Sequence, residues 1–248
     1  MRIRNYGNQL GMIGRIKVGM TNEKGLPISL DYFRFVSPYE DTLRRMRELF
    51  GEKPNSLPIT FFSDDPSVSC AHFYELRNKA GQLVAVGDGR IFYRSTEHGV
   101  VEDNADDEKW KGQYMQGLAR KYSEGNFQAD WVERLKMKFL IIGCKEFGYW
   151  EFNTGAIAAS IPQIVSTFDN CLQHAGRVQF LPFRLVVTKH KGNRVHASGR
   201  IYPVVNLILD LNIEALEQIA QYGENIQGLI TEQKLQKYLP GKSNEQNG

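Results

Sequence analysis

"ERLKMKFLIIG", Glu133 to Gly143, alternates residue by residue: Leu135, Met137 and Phe139 fall on one face, and Arg134, Lys136 and Lys138 on the other. A period of two marks a half-buried strand, and here its solvent side is a stripe of cations. Downstream, "GYWEFNTG" (148–155) reads as a second strand, and "FLPFRLVVT" (180–188) and "RIYPVVNLIL" (200–209) read as two long ones. Between the long strands lies a polar hairpin tip, and the tip with its flanks carries Lys189, His190, Lys191, Arg194, His196 and Arg200. Pro203 cannot donate to a ladder, which places the second long strand at an edge or a bulge near its start.

Helices punctuate this pattern. "SIPQIVSTFDNCLQHAG" (160–176) has Ser160 as N-cap, Gln163 closing a capping box, Gly176 as its stop and an apolar series through Ile161, Ile164, Phe168, Cys171 and Leu172. That series makes Cys171 a core residue and leaves His174 as a last-turn cation favoured by the helix dipole. A closing helix is capped by Asn212 and carries Leu216, Ile219, Ile226, Leu229 and Ile230, with breaks at Gly223 and Gly228.

Toward the N-terminus, "GRIKVGM" (14–20) and "ISLDYFRF" (28–35) form a hairpin around the turn chemistry of Asn22, Gly25 and Pro27. "SPYEDTLRRMRELFG" (37–51) is a short helix with Ser37 as N-cap, Pro38 in its first position, Glu40 in a capping box and Gly51 as the stop. "FYELRN" (73–78) and "LVAVGDGRIFYRS" (83–95) return to strands, and Gly87-Asp88-Gly89 marks a bulge or a close backbone approach. A phosphate cradle would need a helix N-terminus after the glycines, and a strand follows instead. Residues 96–130 change character, with Glu102, Asp103, Asp106, Asp107 and Glu108 in a solvated excursion that lacks the ligand spacing of a calcium loop.

One stretch raises the question of catalysis: "FFSDDPSVSCAHFYE" (61–75) gathers Asp64, Asp65, Cys70 and His72. A carboxylate N-cap followed by Pro66 at the first helical position accounts for the acids without a metal. Cys70 and His72 are two apart and point to different sides of a helix, whereas chelation from one helix needs a spacing of three or four. A metal-dependent hydrolase built on Asp64, Asp65, Cys70, His72 and Asp88 stands as an alternative reading.

The chain of 248 residues is 42% hydrophobic, enough for one large core or two small ones. It has no apolar run long enough to span a bilayer and no secretory leader at its start, so a cytoplasmic protein without a membrane partner is expected. Cys70, Cys144 and Cys171 are odd in number and far apart, which suits reduced thiols rather than a disulfide frame. A net charge of +3 is too small to identify a partner, so the distribution of charge must decide. No GxSxG, HExxH, Walker A or dinucleotide fingerprint occurs, and neither catalytic residues nor a cofactor are expected.

Positive strand faces interleaved with aromatics do stand out. Cations neutralise phosphates while aromatic faces stack unpaired bases, the logic of sheet-based single-strand binders. The plainer alternative is that any sheet with one wet face carries Lys and Arg there. The candidate nucleic-acid set is Arg134, Lys136, Lys138, Lys189, Lys191, Arg194 and Arg200, with Tyr149, Trp150 and Tyr202 as stacking partners.

The sequence resembles the recombination-directionality-factor-like family of phages and mobile elements, whose founding members switch a large serine integrase from integration to excision. The resemblance rests on "GRIKVGMTNEKGLPISLDYFRF", "LPITFFSDDPSVSCAHFYELR" with the following GDG, "GYWEFNTGAIAASIPQIVSTF", "HAGRVQFLPFRLVV" and "YPVVNLIL", in that order. It implies a non-enzymatic factor whose partners are a serine integrase or another recombination protein and DNA. Many members place a cysteine-rich, zinc-type cluster between the GDG element and the Gly-Trp strand; here that interval holds Cys144 alone, too few thiols for a closed zinc site. A single-stranded DNA-binding protein is the second reading, and self-association is left open.

The expected architecture is α+β, mainly antiparallel sheet with a few short helices packed on it, in two sub-domains. Residues 1–100 form the first, 101–130 an acidic and polar linker, 131–239 the second, and 240–248 a disordered tail.

Overall fold

The computed structural model describes residues 10–77, 80, 82–104, 121–122, 129–156, 159–191 and 201–212. The first half contains β1 (Met12–Thr21), β2 (Pro27–Val36), α1 (Glu40–Phe50), β3 (Ser56–Thr60), α2 (Pro66–Ser69), β4 (Cys70–Arg77), β5 (Leu83–Gly87), β6 (Ile91–Thr96) and β7 (Gly99–Asn104). The second contains β8 (Lys121–Tyr122), β9 (Ala129–Ile141), β10 (Tyr149–Thr154), α3 (Ser160–Ala175), β11 (Pro182–Lys191) and β12 (Ile201–Leu209). The protein is mostly sheet with few helices. Its strand pairs are antiparallel except β1–β10, which makes the sheet mixed.

The alternating stretch is the hub. β9 pairs with β4 from Cys70↔Met137 to Leu76↔Trp131 and, on its opposite edge, with β10 from Trp150↔Phe139 to Thr154↔Leu135. Its last residues pair with β3, Thr60 facing Leu140 and Ile59 facing Ile141. From β3 the ladder runs on to β11 and β12; from β4 it runs on to β5, β6 and β7; from β10 it continues to β1 and β2. Strands from both sides of residues 101–130 are therefore interleaved in one hydrogen-bonded network. Within it, residues 99–104 complete a hairpin with β6, so part of the expected excursion is strand.

The two-residue period of β9 is fulfilled: Leu135, Met137 and Phe139 are fully buried. They join Ile16, Phe33, Trp150 and Phe152 on neighbouring strands and Leu57, Ile59, Phe183 and Leu185 on the β3–β11 ladder in one contiguous core. α3 packs against β12 and β4 and adds Ile161, Ile164, Phe168 and Cys171 to it. Phe61 meets Phe168 edge-on at 5.0 Å and Phe183 at 5.2 Å, contacts worth about 0.5–1.5 kcal/mol each beyond burial. Gly14 has no room for a side chain, because a Cβ there would sit 2.6 Å from the Val36 carbonyl oxygen and 2.7 Å from the Trp150 ring.

Both expected capping boxes are replaced by longer-range contacts. α1 begins at Glu40 behind Tyr39, and the Ser37 hydroxyl donates to the Ile13 carbonyl at 2.7 Å, tying the helix entry to β1. α3 begins behind Ala159, and the buried Ser160 Oγ accepts from the Val205 N–H at 2.9 Å, tying the helix to β12. The glycine stops hold: Gly51 has φ 82° and Gly176 lies in the left-handed region at φ 69°. Pro203 sits in β12, which pairs only with β11 among the described residues and so tolerates a missing donor.

The GDG element is a hairpin turn between β5 and β6. Asp88 Oδ1 accepts from the Arg90 and Ile91 N–H groups, both at 2.8 Å, and Gly89 supplies φ 107°. These backbone donors hold the Asp88 carboxyl below its ordinary range. No described helix is long and apolar enough to cross a membrane. The closing helix beyond Asn212, the hairpin tip at 192–200 and the tail lie outside the described residues.

Candidate nucleic-acid interface

Opposite the core, β9 turns Arg134, Lys136 and Lys138 toward a groove of about 660 Å³ on the outer face of the sheet. β4 supplies one wall through Phe73, Glu75 and Arg77, and β10 with the following turn supplies the other through Asn153 and Gly155. Among the described residues, four cations thus face one carboxylate. That carboxylate is engaged: Glu75 accepts from Arg134 Nε at 2.7 Å and from Arg77 Nη2 at 3.1 Å. Burial pushes the Glu75 carboxyl up, but the two guanidinium groups outweigh it and hold the group below the usual carboxylate range.

Lys136 and Lys138 have no carboxylate partner among the described residues. Each ammonium lies over an aromatic ring: Lys136 Nζ is 5.9 Å from the Phe73 centroid, and Lys138 Nζ is 5.3 Å from that of Tyr149. Such contacts park a cation without neutralising it. The positive face continues across the parallel β1–β10 pairing to Arg15, which pairs with Glu151 at 3.0 Å, and to Lys17, which faces Arg34 on β2.

The other residues expected at the interface divide differently. Trp150 is a correction: it is fully buried, edge-on to Phe35 at 5.5 Å, and offers no face to a base. Parity explains this, because Trp150 is opposite Phe139 on the core side while Tyr149 turns outward. Lys189, Lys191 and Tyr202 lie at the far end of the β11–β12 ladder and do not line the groove. Lys189 is paired with Asp31, whose carboxyl it holds below the ordinary range. Tyr202 is 40% exposed beside His190. Arg194 and Arg200 lie outside the described residues.

The set suggested for a hydrolase is dispersed into structural roles. Asp64 Oδ1 accepts from the Val178 N–H at 2.6 Å and the Gln179 N–H at 2.7 Å, pinning the 61–69 segment to the turn after α3. Asp65 caps α2, accepting from Ser67 N at 2.8 Å. α2 is shorter than expected and ends before Cys70, so Cys70 and His72 belong to β4. Burial pushes the Cys70 thiol up to about 12, while His72 Nε2 lies 2.7 Å from Glu133. Among the described residues no three His, Cys, Asp or Glu side chains converge as metal ligands, and Cys144 is hydrogen-bonded to Glu146 at 3.1 Å.

Phe73, Arg77 and Asn153 are groove residues that sequence reading missed, as are Arg15, Lys17 and Arg34 on the continuing face. "GRIKVGM" carries the same apolar and cationic alternation as β9, which was the available signal. Which strand it would adjoin was not readable.

Glu75 gives a testable dependence on pH. Because its folded value lies below the ordinary 4.5, its stabilising contribution is full above that value and disappears as pH falls through the folded one. Glu75→Gln is therefore expected to lower stability by about 1 kcal/mol at pH 7, since both arginine partners are partly exposed, and by less in acid. Urea midpoints of the two proteins at pH 7 and pH 3 check this.

Comparison with known proteins agrees with the resemblance in the sequence. The family model described as Gp3-like, recombination directionality factor-like, matches residues 13–210. No curated protein and no solved structure matches the chain. The match runs from β1 through β12 and takes in every strand that builds the groove, so the chain belongs to the recombination directionality factor-like family.

Proposed function

We propose that the protein is a non-catalytic recombination accessory factor of a phage or mobile element, acting in the cytoplasm of a bacterial host by binding a serine integrase and the DNA it recombines. The observation that carries this reading is the family match across residues 13–210. The groove supports a DNA contact, because among the described residues its cations outnumber its single carboxylate and two of them have no acidic partner. A factor of this kind changes the direction of another enzyme by binding one of its assembly states more tightly than the others. An effect of tenfold on product ratio requires a difference in affinity of about 1.4 kcal/mol.

The test is recombination in vitro with a large serine integrase from the same phage or mobile element and both pairs of its attachment sites. Adding the protein is expected to raise excision and suppress integration. Unchanged product ratios at saturating protein would overturn the proposal.

A further inference from the structure

The geometry points to the groove beside β9 as a subsite for a single nucleic-acid strand, with Lys136 and Lys138 taking successive phosphates and Phe73 receiving a base. This assignment rests on the DNA contact proposed above and narrows it. Residues two apart on one strand face are about 6.7 Å apart along the chain, close to the separation of neighbouring phosphates in an extended strand. A duplex keeps its bases paired and stacked inside, so it offers the groove walls no free base face. A single strand can enter and present its bases to the walls.

The rings beneath the lysines favour this ligand over an acidic peptide. In the free protein Lys136 covers Phe73 and Lys138 covers Tyr149. When a phosphate draws Lys136 outward, the Phe73 ring is uncovered and its face becomes available to a base. One contact is thus exchanged for two, a charge pair and a stack. Arg134 stays in place because Glu75 holds it, and Gly155 gives its guanidinium room that any Cβ would occupy. It therefore acts as a fixed positive wall.

Fluorescence anisotropy with the full chain tests this, using a labelled oligothymidylate, a duplex of equal length and polyglutamate. The single strand is expected to bind most tightly, with affinity falling as salt rises. Replacing both lysines by Lys136→Gln and Lys138→Gln should make the slope of log affinity against log salt shallower by about 1.4, from about 0.7 per phosphate contact. Phe73→Leu should weaken binding about 5- to 150-fold, the range for loss of one base stack, with the slope unchanged. Phe73→Tyr should restore it.

Preference for duplex, equal binding of polyglutamate, or an unaffected Phe73→Leu protein of native circular dichroism would each overturn the assignment. A protein that fails these tests yet redirects the integrase loses the subsite and keeps the proposed function. One that passes them and leaves the integrase products unchanged has the opposite result.

Discussion

Trp150→Ala is expected to lower the unfolding free energy by about 3–5 kcal/mol, the usual cost of emptying a large aromatic site in a core. The side chain has no exposed surface, meets Phe35 edge-on and packs against the bare backbone of Gly14. It lies where β10 is held between β9 and β1, so the cavity would open between three strands. A domain is typically stable by about 5–15 kcal/mol, which makes this a substantial part of the whole. Urea unfolding followed by circular dichroism measures it. A protein of unchanged stability and impaired DNA binding would show instead that the indole serves the outer surface.

Asp64→Ala is expected to cost about 3 kcal/mol or more, because one carboxylate oxygen satisfies two backbone donors and hydrogen bonds to charged groups contribute about 1.5–3 kcal/mol each. Asp65→Ala, which removes only the cap of a one-turn helix, should cost about 1 kcal/mol. Adjacent, chemically identical residues are thus predicted to differ about threefold. If the pair instead held a metal, the two substitutions would behave alike and a chelator would destabilise the wild type. Urea midpoints with and without EDTA distinguish these outcomes.

Local features were legible in the sequence wherever one element's own period or punctuation set them. The alternation of β9, the β1–β2 hairpin, the Asp65-Pro66 helix start and the glycine stops at Gly51 and Gly176 all depend on residues within a few positions of one another. Ser37 and Ser160 show where that reasoning ends. Ser37 precedes one helix and Ser160 opens another, and both resemble caps, yet each hydroxyl is used by a strand distant in sequence. The groove was half legible for the same reason. Arg134, Lys136 and Lys138 follow from the parity of β9, whereas Phe73, Glu75 and Arg77 enter only through the register that places Phe73 opposite Arg134. Trp150 was misplaced because a short strand with aromatics on both faces does not announce which one points inward.

The parallel union of β1 and β10 bears on how the molecule is made. The β1–β2 hairpin is synthesised before α1, α2 and strands β3–β9, and β10, the strand that covers the free edge of β1, follows only after all of them. Until then an unpaired strand edge is open to pairing with other chains, and such late closures make folding slow. Truncated versions ending near residue 130 would remain in that vulnerable condition permanently, so aggregation is the fate to anticipate for an N-terminal half expressed alone.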